Sequence, residues 1–422
     1  MLAIRPPVPV VVQQHVEQAA TLRNTRSFLV SAPHVKLLQL RRLDDRLAAH
    51  LDGVAVGGQY GSTLATAALA SPGLGEIFTA AVRAIEDRDA VGVERLLALV
   101  EAAEGGHHGG LLSAFGWVSA SSLRGITKAL LESPHAFRRQ VGLAACSMHQ
   151  VDPGRIAMDA LNDADADLRV RALRLIADRG LVDGLPACTT ALNDEDPRCA
   201  FEAARAAVLL GDRGAALARL RRFAEEPGPL RGRALNLALK FGALPESHAL
   251  LKVLSQDPEN IRLLVRSMGV SGDHHYVPWL INQMSDAKLS RLAGESFSLV
   301  TGLDLALSDL ERKTVEDAGA GPDDDPANDD VAMDEDFGLP SPDPEKIGAW
   351  WQANAHRFAA GTRYFMGRPP SPAHCLSILK TGFQRQRIAA AQYLCLLQPG
   401  TPLFNTAAPA WRQERWLNAM GA

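Results

Sequence analysis

A repeat with a nearly fixed period constrains this chain more than any other feature of its sequence. The stretches LNDADADLRVRALRLIADRG (161–180) and LNDEDPRCAFEAARAAVLLG (192–211) match at an offset of 31 residues. Continuing from there in steps of 31, 30 and 30 residues gives five glycines in one register, the ladder glycines: Gly180, Gly211, Gly242, Gly272 and Gly302. Self-similarity at a period of about 20–50 residues is typical of stacked repeat architectures.

Each repeat unit is predicted to be a helical hairpin. Apolar residues at helical spacing, such as Phe201, Ala204 and Val208, precede a ladder glycine, which suits the left-handed residue that ends a helix. The pair Asp196-Pro197 precedes the same run and provides an N-cap residue followed by a first-turn proline. A second, shorter apolar stretch lies between successive ladder runs and predicts the other helix of the hairpin.

A hairpin of this size cannot bury its own apolar face, so neighbouring units are expected to stack. The expected fold class is therefore all-α: an α-solenoid of HEAT-like helical hairpins with an N-terminal helical cap and a disordered acidic insertion. A composition with 47% apolar but only 5% aromatic residues favours helices, and the alternative is a helical bundle whose period is accidental. The predicted parts are an N-terminal helical cap (1–130), repeats of about 31 residues (131–310), the acidic disordered insertion (311–346) and a C-terminal helical repeat or cap (347–422).

Three segments outside the ladder also predict helices. Residues 34–53 and 76–104 are each expected to form a longer amphipathic helix of the N-terminal cap. Residues 378–397 resemble the second half of one unit and the first half of the next, which predicts that the solenoid resumes after the insertion.

The acidic insertion carries twelve Asp and Glu residues between Thr314 and Glu345, with no Lys or Arg, although the net charge of the whole chain is only −4. Its Asp, Pro, Gly and Ala residues predict a segment that does not pack. It is expected to be a solvated linker or a polyanion mimic that covers basic surface until a partner displaces it. Calcium is not expected there, because the ligand spacing of an EF-hand loop is missing.

No cofactor, metal site or catalytic residue is predicted. The adjacent histidines of His107-His108 and His274-His275 lack a further ligand at metal-binding spacing, and no nucleophile motif is present. Carboxylates from different repeats could meet in pairs and act in acid–base catalysis, but the sequence singles out no such pair. The odd cysteine count indicates core thiols in a reducing compartment: Cys146, Cys188, Cys199, Cys375 and Cys395. A short, proline-interrupted N-terminal apolar run predicts no signal peptide and no membrane span, so a cytoplasmic location is expected.

The candidate partner-binding residues are arginines near helix starts and in ladder positions, with two C-terminal tryptophans: Arg138, Arg139, Arg171, Arg174, Arg205, Arg233, Arg385, Arg387, Trp411 and Trp416. Arginine stems could instead cover apolar helix surface and pair with Asp caps. As a basic stripe they would suit an acidic partner, nucleic acid or the acidic insertion, although aromatic residues for base stacking are not interleaved. The tryptophans predict either packing of a C-terminal cap or an exposed docking patch.

Several motifs add a family resemblance: LDDRLAAHLDG (43–53), LAGESFSLVTGLDL (292–305), RYFMGRPP (363–370), GFQRQRIAAAQYL (382–394) and PAWRQERWL (409–417). They resemble an uncharacterised bacterial HEAT-repeat family often encoded in type VI secretion gene clusters near spike-tip and adaptor genes. The ladder itself resembles HEAT repeats and the related repeats of phycobilin lyases. The resemblance implies a setting but provides no catalytic residues.

The expected function is a non-catalytic protein-binding scaffold: an adaptor, chaperone or accessory factor for a type VI secretion effector or spike-tip protein. One alternative is an immunity protein that caps a toxin. Another is a HEAT-fold enzyme of lyase or DNA-glycosylase type, because both kinds of enzyme occur on this fold. The expected partner is a protein, with no membrane and no nucleic acid.

Overall fold

The computed structural model describes residues 7–103, 106–312 and 334–421. Within these ranges the chain forms 22 α-helices joined by short 3-10 turns and no β-strand, which confirms the predicted all-α fold. Among the helices of this part of the chain, none is both long and apolar enough to cross a membrane.

Seven helices precede the repeats: α1 (Pro9–Leu29), α2 (Leu37–Val56), α3 (Gly58–Ala67), α4 (Leu74–Glu86), α5 (Ala90–Ala102), α6 (His108–Trp117) and α7 (Ile126–Leu131). They bury a core of their own, which extends from Val16 to Ala145. The segment 76–104 was predicted as one helix, and this is wrong. The chain turns at Arg88, which has a φ of 56°, and the Asp89 carboxylate then caps α5 by accepting from Gly92 N (2.9 Å).

The repeat region comprises α8 (Ala136–Met148), α9 (Arg155–Asp159), α10 (Ala166–Arg179), α11 (Leu185–Thr190), α12 (Pro197–Leu209), α13 (Ala215–Glu225), α14 (Arg231–Ala238), α15 (Leu244–Leu254), α16 (Ile261–Ser271), α17 (Val277–Gln283) and α18 (Ser290–Thr301). The ladder helices α10, α12, α14, α16 and α18 pack on one another in sequence, and α11, α13, α15 and α17 lie outside them. This arrangement is the predicted stack of helical hairpins.

The ladder glycines end the ladder helices as predicted. All five have positive φ, between 64° and 111°. Gly180, Gly272 and Gly302 are left-handed C-cap residues of α10, α16 and α18. Gly211 and Gly242 lie beyond the ends of α12 and α14, where they turn the chain toward the next outer helix.

Four helices follow the acidic insertion: α19 (Pro344–Asn354), α20 (Pro372–Thr381), α21 (Gln384–Leu397) and α22 (Ala410–Ala419). Their apolar residues belong to the same core as the repeats, so the C-terminal region is not a separate unit. The prediction that residues 378–397 extend the stack is wrong, because α21 crosses the ladder helices instead. Arg385 at its start pairs with Glu295 of α18 (2.7 Å), whereas the Leu396 carbonyl at its end accepts from Arg213, after α12 (2.9 Å).

Disorder was predicted for the acidic insertion, residues 311–346, and residues 313–333 of it lie outside the described residues. Residues 334–346 were included in that prediction but are folded. Asp336 is 4% exposed and pairs with Arg262 of α16 (2.8 Å). Asp343 caps α19 by accepting from Glu345 N (3.1 Å) and Lys346 N (3.2 Å). The end of the acidic tract is therefore part of the folded protein.

Residues 363–368 and 399–403, which we call the C-terminal strap, run along the C-terminal ends of the ladder helices. A helix leaves its last four carbonyls without intrahelical partners, and the strap provides donors for them. Tyr364 N donates to Gly272 O (2.8 Å), Gly367 N to Val300 O (3.0 Å) and Leu403 N to Asp178 O (2.9 Å).

The contact between the strap and the ladder is close at two glycines. A Cβ atom on Gly272 would lie 2.2 Å from Tyr364 O, and one on Gly180 would lie 2.4 Å from Gly400 O. These glycines therefore serve two purposes, because they end their helices and leave room for the strap.

Candidate functional site: an inner groove

Between the ladder helices and α21 lie three adjoining chambers, which we call the inner groove. The arginine chamber (about 320 Å³) contains Arg171, Asp178 and Arg205. The lysine chamber (about 570 Å³) contains Lys240, Arg266 and Tyr393, and the terminal chamber (about 460 Å³) contains Asp304 and Glu311. Ile388 of α21 lines the first two chambers, whereas Pro33 and Glu295 line the last two.

The repeat register explains how these side chains come together. The residues six positions before the ladder glycines form a mostly polar row: Arg174, Arg205, Asn236, Arg266 and Ser296. Positions four residues apart share a helix face, so Asp178 and Lys240, two residues before their glycines, extend this row. The inner groove is therefore built from equivalent positions of successive units.

Three of the predicted partner-binding arginines converge on one buried carboxylate. Glu202 is 1% exposed and accepts from Arg174 Nε (2.8 Å), Arg233 Nη2 (2.6 Å) and Arg205 Nη1 (3.4 Å). Burial opposes ionisation of Glu202, but the three guanidinium groups outweigh it and hold its pKa below the ordinary range. These arginines are paired within the molecule.

Arginines that pair with Asp residues between units form a second set. Arg139 of α8 pairs with Asp163 (2.7 Å), and Arg169 of α10 pairs with Asp194 one unit later (2.9 Å). Asp163 lies two residues before Asp165, the N-cap of α10, so Arg139 pairs with an Asp residue near a helix start and not with the cap itself. Arg138 instead pairs with Glu94 of α5.

Arg171 differs from these arginines. Within the described part of the chain it has no salt bridge and no hydrogen bond to its side chain, and it lines the arginine chamber. Burial, followed by the neighbouring Arg174, lowers its pKa from the ordinary value. Of the predicted partner-binding residues, Arg171 is therefore the best placed to bind an anion in the inner groove.

The lysine chamber contains two buried polar side chains with few partners. Lys240 is 4% exposed, and among the described residues its Nζ donates only to the Asn236 carbonyl (2.8 Å) and Oδ1 (2.6 Å). Burial lowers the pKa of Lys240 to about 7. Tyr393 is 3% exposed, its hydroxyl has no hydrogen-bond partner among the described residues, and burial raises its pKa.

The other charges of the lysine chamber are paired. Arg385 binds Glu295 (2.7 Å) and also donates to the Glu335 carbonyl (2.6 Å). Arg266 pairs with the Glu335 carboxylate (3.0 Å). Burial raises the pKa of Glu295 despite the adjacent Arg385. The end of the acidic tract therefore forms one wall of this chamber.

The inner groove has a charge gradient. Four guanidinium groups and the Lys240 amine face three carboxylates in the arginine and lysine chambers: Arg171, Arg205, Arg266, Arg385 and Lys240 against Asp178, Glu295 and Glu335. In the terminal chamber Lys36 faces Asp304, Glu311 and the shared Glu295. The first two chambers therefore favour an anion.

Three predicted partner-binding residues contact the protein itself. Arg387 is completely buried and donates to Leu379 O (2.6 Å) and Gln413 Oε1 (2.5 Å), so the prediction that it binds a partner is wrong. Trp411 packs edge-on against Trp117, with 4.7 Å between ring centroids, and Trp416 packs against Phe404 at 5.8 Å. Both tryptophans dock the C-terminal end, as the packing interpretation predicts.

Histidines and cysteines form no further site in the residues that the structure describes. No group of three or more His, Cys, Asp or Glu side chains there is arranged to hold a metal ion. His248 Nε2 lies 2.7 Å from the buried Asp273 carboxylate, beside His274-His275. All five cysteines are buried and unpaired.

Sequence reasoning missed Lys240, Glu295 and Tyr393. Two successive steps of 31 residues from Arg174 reach Arg205 and Asn236, and Asn236 lies one helical turn before Lys240. The repeat register could therefore have identified Lys240. Tyr393 has no such signal, because α21 is outside the ladder. Comparisons with protein-family models, curated proteins and solved structures find no match to this chain.

Proposed function

We propose that this chain is a non-catalytic protein-binding scaffold that holds an extended acidic segment of a partner protein in the inner groove. The observation that carries this proposal is the excess of basic side chains, four arginines and Lys240, over three carboxylates in the arginine and lysine chambers. Charge complementarity selects partners and speeds association. Arg171 is the cation of this set that an acidic side chain would pair with directly.

The volume of the chambers limits which part of a partner protein they can bind. Volumes of about 320 and 570 Å³ accommodate side chains and a short stretch of backbone, but not a folded domain. Grooves that bind peptides commonly take an extended or helical segment whose anchor side chains fill separate pockets. Two chambers that meet at Ile388 suit a segment with two anchors.

The family resemblance provides the setting of the proposal. The scaffold would act in the cytoplasm as an adaptor, chaperone or accessory factor for a type VI secretion effector or spike-tip protein. Five unpaired thiols agree with a reducing compartment.

The test is to co-express the chain with the effector and spike-tip proteins encoded beside its gene and to measure their affinity by calorimetry. Ile388→Trp fills the junction of the two chambers and is expected to weaken binding at least about tenfold, or about 1.4 kcal/mol. Val253→Trp, at an exposed position of α15, is the matched control and should leave affinity unchanged. Circular dichroism establishes that both variants are folded.

Three results would overturn parts of this proposal. Binding that Ile388→Trp leaves intact would place the partner elsewhere on the protein. A lack of affinity for every neighbouring effector and spike-tip protein would reject the secretion setting. Tight binding to a toxin, together with protection of cells that express it, would instead identify an immunity protein.

A further inference from the structure

The lysine chamber contains a buried amine, Lys240, that pairs with no carboxylate among the described residues. The chamber is faced by the end of α1 with residues 31–33, α14, α16, α18, α21, the strap and Glu335. Their titratable and charged groups are Lys240, Arg266, Glu295, Arg385, Tyr393, Tyr364 and Glu335. Arg266 is matched by Glu335 and Arg385 by Glu295. Lys240 has only the neutral Asn236 as a partner, within the described part of the chain.

A second buried polar group opens on the same chamber. The Tyr364 hydroxyl already accepts from Ala359 N (2.7 Å), whereas the Tyr393 hydroxyl has no partner in the described ranges. Buried polar groups are normally hydrogen-bonded. Tyr393 thus offers one hydroxyl donor, and Lys240 offers a third N–H donor once it is protonated, because its other two are given to Asn236.

The remaining lining of the lysine chamber is largely apolar. It is provided by Phe28, Pro33, Val270, Leu299, Phe365 and Ile388. The volume of about 570 Å³ lies in the range of small-molecule sites, about 300–1,000 Å³. A ligand with one anionic end and an apolar body would satisfy both the donors and this lining.

We propose that the lysine chamber binds a small organic monocarboxylate, whose carboxylate oxygens accept hydrogen bonds from Lys240 Nζ and the Tyr393 hydroxyl. Protonated Lys240 would provide one positive charge, which favours a monoanion, because a dianionic phosphate would keep a buried negative charge. Two donors suit the two oxygens of a carboxylate. This inference goes beyond the proposed scaffold function: the ligand would compete with the partner segment for the lysine chamber, but its binding requires no partner.

The proposed site predicts that ligand binding takes up a proton. Without ligand, burial keeps the pKa of Lys240 at about 7, so the amine is mostly neutral at pH 7.5. A bound carboxylate favours the ammonium form and raises this pKa. About three quarters of an amine with this pKa is neutral at pH 7.5, so the uptake is expected to be at most about 0.8 proton per ligand. Calorimetry in two buffers of different ionisation enthalpy measures this number.

The experiment uses the purified full chain with decanoate and 2-naphthoate as probes and 2-naphthamide as the neutral analogue. The carboxylates are expected to bind at least tenfold more tightly than the amide. Lys240→Met should lose at least tenfold in affinity and all proton uptake, whereas Tyr393→Phe should lose several-fold and keep the proton uptake. Lys252→Met, at an exposed position of α15, is the control and should behave like the wild type.

Several outcomes would overturn the inference. They are failure of the folded wild type to bind either carboxylate at 1 mM, equal affinity for carboxylate and amide, or Lys240→Met binding with wild-type proton uptake. If Lys240→Met does not fold, Tyr393→Phe and the proton uptake of the wild type decide the question. Because no partner is present, these results are independent of the scaffold proposal.

Discussion

The contact of Gly272 with the strap makes a quantitative prediction. Gly272→Ala places a methyl group where a Cβ would lie 2.2 Å from the Tyr364 carbonyl oxygen, so the strap must move. Gly58→Ala is the matched control. Gly58 also has a left-handed φ (55°, against 67° for Gly272), but a Cβ there meets no atom within 4 Å.

Both substitutions place alanine in a left-handed conformation, but only Gly272→Ala also displaces the strap. Alanine in the left-handed region costs about 1–2 kcal/mol at either position. At Gly272 the displaced strap also loses the hydrogen bonds from Tyr364 N to Gly272 O (2.8 Å) and from Arg363 Nε to Ser271 O (3.0 Å). At about 1 kcal/mol for each bond, Gly272→Ala should cost about 2 kcal/mol more than Gly58→Ala.

Hydrogen exchange of the strap amides measures this difference locally. A local readout is needed because repeat proteins open unit by unit, so a single free energy of unfolding is not well defined. A loss of about 2 kcal/mol predicts exchange about 30-fold faster at residues 364–367 in Gly272→Ala. In Gly58→Ala these amides should exchange at the wild-type rate. Equal exchange of the strap in both variants would refute the view that the ladder glycines admit the strap.

Two further predictions concern buried ionisable groups. Glu202→Gln leaves three guanidinium groups without their shared carboxylate and should lower the free energy of local opening of α12 by about 3 kcal/mol, measured by hydrogen exchange at pH 7, whereas Glu225→Gln, at an exposed position, should have little effect. Folding lowers the pKa of Glu202 below 4.5, so the stability difference between the wild type and Glu202→Gln should be complete above about pH 4.5. It should disappear as the pH falls through the pKa of the folded state. A stability difference that persists in acid would contradict this assignment. The five thiols should not react with a disulfide reagent at pH 8 until guanidinium unfolds the chain, since burial raises the pKa of Cys146 and Cys375 to about 11; rapid labelling of the folded protein would contradict their burial.

The sequence predicted those features that depend on local pattern. The ladder glycines, the hairpin units and the pairing of Arg139 with an Asp residue all follow from periodicity and helix-end chemistry within one or two units. The path of α21 and the strap could not be predicted, because the partners of Leu403 and Arg385 lie about 90 to 225 residues away and no repeat connects them. For the same reason, the sequence could not show which arginines are already paired.

The strap also affects how the protein can change in length. An open solenoid gains or loses units without penalty, because each unit contacts only its neighbours. Here Arg363–Met366 meet the ends of three ladder helices, and Pro399 and Gly400 meet two others. An inserted hairpin would shift these helix ends out of step with the strap. The C-terminal region thus sets the number of units. Duplication of a hairpin, which open solenoids tolerate, should prevent this protein from folding.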